Sequence, residues 1–141
     1  VMLNEERLLK IIEDMTEVVE NLKDCKNVLE TTPEDKNVVF IEFGLKQIFV
    51  DFFITVEHLI SMLLKENKKF KIGIDMKESL SILNRETLIS EEIYLFLNEA
   101  RLLRNRISHR YKEPTRAELI EFININIDKF DKVIVLAKRY M

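Results

Sequence analysis

The chain has 141 residues, of which 47% are hydrophobic and 33% charged, with two glycines, two prolines, one cysteine and a net charge of −3. That length fits one domain with a core of its own, so residues 1–141 are expected to form a single unit. The scarcity of turn formers excludes a many-stranded β fold and favours an all-α one, and a lone cysteine excludes an internal disulfide.

The first helix is expected from about Asn4 to Leu29. Leu8, Ile11, Ile12, Met15, Val18, Val19, Leu22 and Cys25 recur at three- and four-residue steps and draw one apolar face. Cys25 lies in register with that face and reads as a buried thiol. In "TTPED", Thr32 reads as the N-cap of the next helix, with Pro33 at its first position and Glu34 and Asp35 at the positive end of its dipole.

The second helix, about 34–66, is the greasiest element. Phe40, Phe43, Phe49, Phe52 and Phe53 join Leu45, Ile48, Val56, Leu59, Ile60 and Leu63 on more than one face, as in a helix that is central in a bundle or part of a subunit interface. Glu42, Lys46, Asp51 and Glu57 interrupt it, so it falls short of the roughly 18–20 apolar residues of a membrane span. No membrane partner is expected. Gly44 suits a close helix approach, and His58 reads as a core or interface histidine.

"KENKKFKIG" reads as a loop. Asp75 with Glu78 caps a short third helix to about Leu83, and Ser90-Glu91-Glu92 opens a fourth that Pro114 ends. Thr115 and Glu118 are spaced as a capping box for a fifth helix running almost to Met141. The sum is an antiparallel bundle of about five helices. Glu5, Glu6 and Arg7 precede any apolar block, unlike a secretion signal, and the expected compartment is the cytoplasm.

Charge is unevenly spread. Residues 101–116 hold Arg101, Arg104, Arg106, Arg110, Lys112 and Arg116 against Glu113 alone, a balance of +5, so the rest of the chain carries −8. Within this stretch, at one hundred degrees per residue, Ile93, Phe96, Ala100, Leu103 and Ile107 form the core face of the fourth helix. Arg104 and Tyr111 fall together on one margin, and His109 lies roughly opposite the core with Asn105 one turn below and Leu102 nearby.

These residue types suit phosphate chemistry. An imidazole exchanges protons near neutral pH, and a guanidinium presents a fork of donors to two phosphate oxygens. Asn105 can orient a phosphate or the histidine. Such a set suffices to cleave RNA by attack of its own 2′-hydroxyl. No metal-ligand spacing or glycine-rich phosphate loop occurs, so no metal and no cofactor are expected. A second copy of the helix about a two-fold axis would cover the exposed His109 and bring two motifs into one cleft.

The octapeptide "RNRISHRY", Arg104–Tyr111, resembles the R-x-x-x-x-H signature of HEPN-domain proteins, with Asn directly after the Arg. Its x-Y tail is similar to that of HepT-like toxins. The likeness extends from Gly44 to Tyr111 in the order of helix, short helix and motif helix.

The resemblance implies an all-α HEPN-like bundle forming a two-fold homodimer with facing motifs. It also implies metal-independent endoribonuclease activity and the toxin role in a toxin–antitoxin pair. The partner would be an MntA-type nucleotidyltransferase antitoxin that neutralises the toxin by transferring AMP to Tyr111. Arg104 would then hold phosphate and transition-state charge, His109 transfer protons, and Asn105 orient. Arg101, Arg106 and Arg110 are candidate contacts to RNA backbone. The alternative is a non-catalytic HEPN partner that binds substrate or nucleotide for a minimal nucleotidyltransferase.

Overall fold

The computed structural model describes residues 4–141, with Arg110 described by its backbone only. Helix α1 (Glu5–Thr31) starts at Asn4, whose Oδ1 accepts from the Arg7 amide at 3.0 Å. It stops at Thr32, not at Leu29. Thr32 precedes Pro33, and the proline ring drives the residue before it into extended backbone, φ −82° and ψ 130°. The Thr32 hydroxyl donates back to the Val28 carbonyl at 2.6 Å, so Thr32 closes α1 and is not the N-cap of the next helix.

Pro33, Glu34 and Asp35 form a connector, and the Asp35 carboxylate accepts from the Asn37 amide at 2.7 Å. Helix α2 therefore runs Val38–Glu66, four residues later than the sequence suggested. It lies antiparallel to α1 across this short link. Among the described residues no helix is long and apolar enough to cross a membrane.

The remaining caps follow the sequence closely. Asp75 accepts from the Glu78 amide to open α3 (Met76–Arg85), and Ser90 accepts from the Ile93 amide to open α4 (Glu91–Ser108). Thr115 and Glu118 form a reciprocal capping box at the start of α5 (Arg116–Ile125). The expected long fifth helix is broken, and α6 (Ile127–Lys138) is separate. At the break, Asn126 is buried and its amide donates to the Phe122 carbonyl at 2.9 Å. A polar side chain bonding the preceding turn bends a helix. The described residues thus hold six α-helices and no strand.

Five phenylalanines weld the bundle. Phe49 and Phe52 of α2 meet Phe96 of α4, Phe122 of α5 and Phe130 of α6, with the Phe52–Phe130 ring centroids 4.9 Å apart. Tilted and edge-on pairs add about 0.5–1.5 kcal/mol each beyond burial. Around the rim, Lys23 of α1 pairs with Asp131 of α6 at 2.8 Å, and Lys132 of α6 with Glu92 of α4 at 2.6 Å. The structure bears on two expectations for α2. A Cβ on Gly44 would meet nothing within 4 Å, so no described helix of the chain approaches closely there. His58 is exposed, which excludes the core reading of it and leaves the interface one.

Candidate functional site

The basic stretch does not continue α4 to Pro114. The helix ends at Ser108, and His109 is extended at φ −110° and ψ 101°. A single 3-10 turn, Arg110–Lys112, follows and leads through Pro114 into α5. Arg106 braces this break. Its Nε donates to the Lys112 carbonyl at 3.0 Å while Nη1 and Nη2 grip Glu118 at 2.8 and 3.2 Å. These bonds tie the end of α4 to the start of α5. A helical wheel therefore fails beyond Ser108, and the predicted shared margin of Arg104 and Tyr111 has no basis in a continuous helix.

Arg104 is the best-seated member of the motif. Its guanidinium carbon lies 4.8 Å from the centre of the Phe53 ring. Nη1 donates to Glu57 at 3.3 Å and Nε to the Asn105 side-chain oxygen at 3.3 Å. Nη2 has no hydrogen-bond partner among the described residues. Asn105 thus orients the arginine, and it makes no hydrogen bond to the His109 side chain among the described residues.

His109 is exposed at the C-cap of α4, five residues after Arg104. Its ring centre is 6.0 Å from that of Tyr111, and Tyr111 is 81% exposed with Lys112 Nζ 5.5 Å from its ring. The motif turn thus presents an imidazole and a phenol to solvent side by side.

Two ion-pair clusters hold this turn. Buried Lys46 of α2 donates to Glu42 at 3.0 Å and to Glu113 at 3.1 Å, pinning the residue before Pro114. Burial pushes the Lys46 ammonium down, but the two carboxylates outweigh it and leave its pKa raised. Arg116 then ties Glu42 to Glu34 at 2.7 and 2.6 Å. On the other side, the Arg106 guanidinium and the Thr115 amide hold the Glu118 carboxyl down at about 2.

The remaining basic candidates divide accordingly. Arg101 is folded onto Asn98 at 2.9 and 3.2 Å, and Arg106 serves as the strut just described. The Arg110 side chain lies outside the described part of the structure. Sequence reading missed Glu57, Phe53 and the Lys46–Glu113 pair. A carboxylate midway along the most apolar helix was the available signal for Glu57, whereas the pairing of Lys46 with Glu113 depends on the unanticipated turn.

Beside the motif, Phe43, Lys46 and Val50 of α2 face Ile107 and Ser108 of α4 across a groove that Glu113 closes. Phe40 and Phe43, 69% and 55% exposed, head an unpartnered stripe on α2 that continues through Val50 to Ile54. Cys25 is half-buried against α2, and burial pushes its thiol up. No group of three or more His, Cys, Asp or Glu residues that could hold a metal ion occurs among the described residues.

No protein-family model, no curated protein and no solved structure matches the chain.

Proposed function

We propose that the chain is a HEPN-type metal-independent endoribonuclease, acting as a HepT-like toxin from a two-fold dimer. The observation that carries this reading is Arg104, shelved on Phe53 with Nη2 free of hydrogen bonds among the described residues, five residues before the exposed His109. With a phosphodiester on Nη2, the attacking group is its neighbouring 2′-hydroxyl. Neutral His109 accepts that proton as the 2′-oxygen attacks phosphorus. The bond to the 5′-oxygen breaks, the leaving oxygen takes a proton from an imidazolium, and a 2′,3′-cyclic phosphate and a 5′-hydroxyl result. Arg104 stabilises the additional charge on the phosphoryl oxygens.

A dimer through the α2 stripe supplies the second histidine for the proton return. The exposed phenylalanines lie on the same side of α2 as the groove at the motif, so joining two copies there would face two motifs. Control through an MntA-type nucleotidyltransferase belongs to the same proposal: Tyr111 is open to a transferring enzyme, and an adenylate on it would set charge and bulk beside the arginine.

A second reading draws on the Glu57 contact, because a carboxylate on the motif arginine also suits a strut in a non-catalytic partner that presents substrate or nucleotide to a transferase. The deciding test is cleavage of labelled RNA in EDTA, together with growth on expression of the chain alone. Wild type should cut RNA and arrest growth, and His109→Ala should do neither. RNA left whole by wild type, with equal growth for both, would remove the nuclease reading.

A further inference from the structure

We propose, building on the RNA-directed reading of the motif, that the outer ridge of α2 beyond Glu57 and the basic loop after it form a second track for single-stranded RNA, leading away from Arg104. His58, Ser61 and Lys65 follow one another at steps of three and four and so share one ridge. His58 and Lys65 are exposed and Ser61 is half-buried. Lys65 stands about 12 Å beyond Glu57 at roughly 1.5 Å per residue, so a strand bound at Arg104 can reach it within a few nucleotides.

The loop that follows concentrates charge. Lys65, Lys68, Lys69 and Lys71 fall within seven residues against Glu66 alone. Lys69 pairs with Glu86 at 2.8 Å, while Lys68, Lys71 and Arg85 make no ion pair among the described residues. Lys68, Lys69, Lys71 and Arg85 line a groove with Phe70, Ile82 and Glu86.

The frame under them is fixed. The Lys69 amide donates to the Leu64 carbonyl at 2.8 Å and the Ile74 amide to the Lys71 carbonyl at 3.2 Å. Gly73 takes φ +81° in that turn, and Lys68 holds the left-handed φ of +59° without being glycine. Less ordering entropy is lost on binding when the charges sit on such a frame.

Apolar surface sits among the charges. Ile72, at the apex of the turn, is 98% exposed, and Phe70 is 39% exposed with Lys65 Nζ 4.8 Å from its ring centre. Lysines beside an aromatic face suit single-stranded nucleic acid, whose phosphates take the charge and whose unpaired bases stack. An anionic bilayer would use the same lysines and Ile72. The ridge running from the phosphate-binding arginine into the loop favours RNA.

The test uses a fluorescein-labelled 2′-O-methyl RNA of about 20 nucleotides, long enough for a site of this kind and proof against 2′-hydroxyl attack. Anisotropy is followed over a salt series for wild type and the Lys65→Glu/Lys68→Glu/Lys71→Glu variant, both checked for helical content. The variant should bind at least about tenfold more weakly, with the salt slope smaller by about 2. Cleavage of an RNA dinucleotide, too short to leave the motif, should be unchanged. Equal affinity and slope in the two proteins would overturn the track, as would wild type that ignores this RNA yet sediments with phosphatidylserine vesicles. Lysine-dependent binding without any cleavage would keep the track and sink the nuclease reading instead.

Discussion

Arg104 and Glu57 meet at 3.3 Å across the seam of α2 and α4, above the ring of Phe53. Both side chains retain solvent contact, so the pair contributes at most about 1 kcal/mol to stability. On the proposed reading its weight is in function, because Glu57 would then hold the guanidinium that an incoming phosphate needs. Glu57→Gln keeps the shape and removes the competing charge. Its KM for RNA should fall about threefold with kcat within about twofold, and its Tm should move by less than about 3 °C. An unchanged KM together with a large loss of Tm would make Glu57 a strut.

The Glu118 carboxyl gives the motif turn an acid limit. Its folded pKa of about 2 lies below the ordinary 4.5, so the stability it supplies is present above about 4.5 and is lost as pH falls toward 2. Glu118→Gln should therefore lower Tm relative to wild type by a constant amount at neutral pH. The gap should close between about pH 4.5 and pH 2 in thermal scans read by circular dichroism. A gap independent of pH would show that the Arg106 contact acts through shape and not charge.

The α2 stripe makes a prediction about assembly. Phe43 is exposed and borders the groove at the motif, so Phe43→Glu would set a carboxylate into any seam formed there. Light scattering should report two chains per particle for wild type and one for the variant, and RNA cleavage should be lost with the dimer. Leu95→Glu, equally exposed but on the outer side of α4, should leave both properties unchanged. A wild type that stays monomeric at micromolar concentration removes the seam.

What the sequence revealed depended on how local the cause was. The caps of Asp75, Ser90 and Thr115 are bonds between residues three apart, and each was readable from its own few letters. The break at Asn126 escaped because asparagine in an apolar periodic run looks like a surface residue, and only the fold buries it. The end of α4 escaped for a different reason. Arg106 reaches Glu118, twelve residues on, and that contact exists only once α5 has folded back. At the site, Arg104, His109 and Tyr111 stood out by type and spacing, but Glu57 and Phe53 are 47 and 51 residues from Arg104 in the chain. For His58 the apolar neighbours left core and interface both open, and only its exposure excludes the core.

The core sets the tolerance of the whole arrangement. Phe52 is fully buried and within ring contact of Phe49, Phe96 and Phe130, and it neighbours the Phe53 that supports Arg104. Phe52→Ala should cost about 3–5 kcal/mol. For a domain of this size that corresponds to a fall of roughly 10–20 °C in Tm. Heating the variant in a calorimeter checks this, and a drop below about 5 °C would mean that the cluster collapses into the space left behind.

On the proposed reading, Tyr111 allows control and catalysis to be separated. Its hydroxyl is exposed at the tip of the turn, and its ring lies 6.0 Å from that of His109. Attack of the phenolic oxygen on the α-phosphorus of ATP, with release of pyrophosphate, would place an adenylate beside the imidazole. Tyr111→Phe keeps the ring and removes the nucleophile. The variant should cut RNA at a rate near that of wild type, because the phenol makes no bond in the proposed cleavage. Co-expressed with an MntA-type nucleotidyltransferase, wild type should gain the mass of AMP on the peptide containing Tyr111 and lose its toxicity, while the variant gains nothing and stays toxic. Loss of RNA cleavage in Tyr111→Phe alone would place the hydroxyl in the reaction itself, and adenylation elsewhere in the chain would move the control point off this turn.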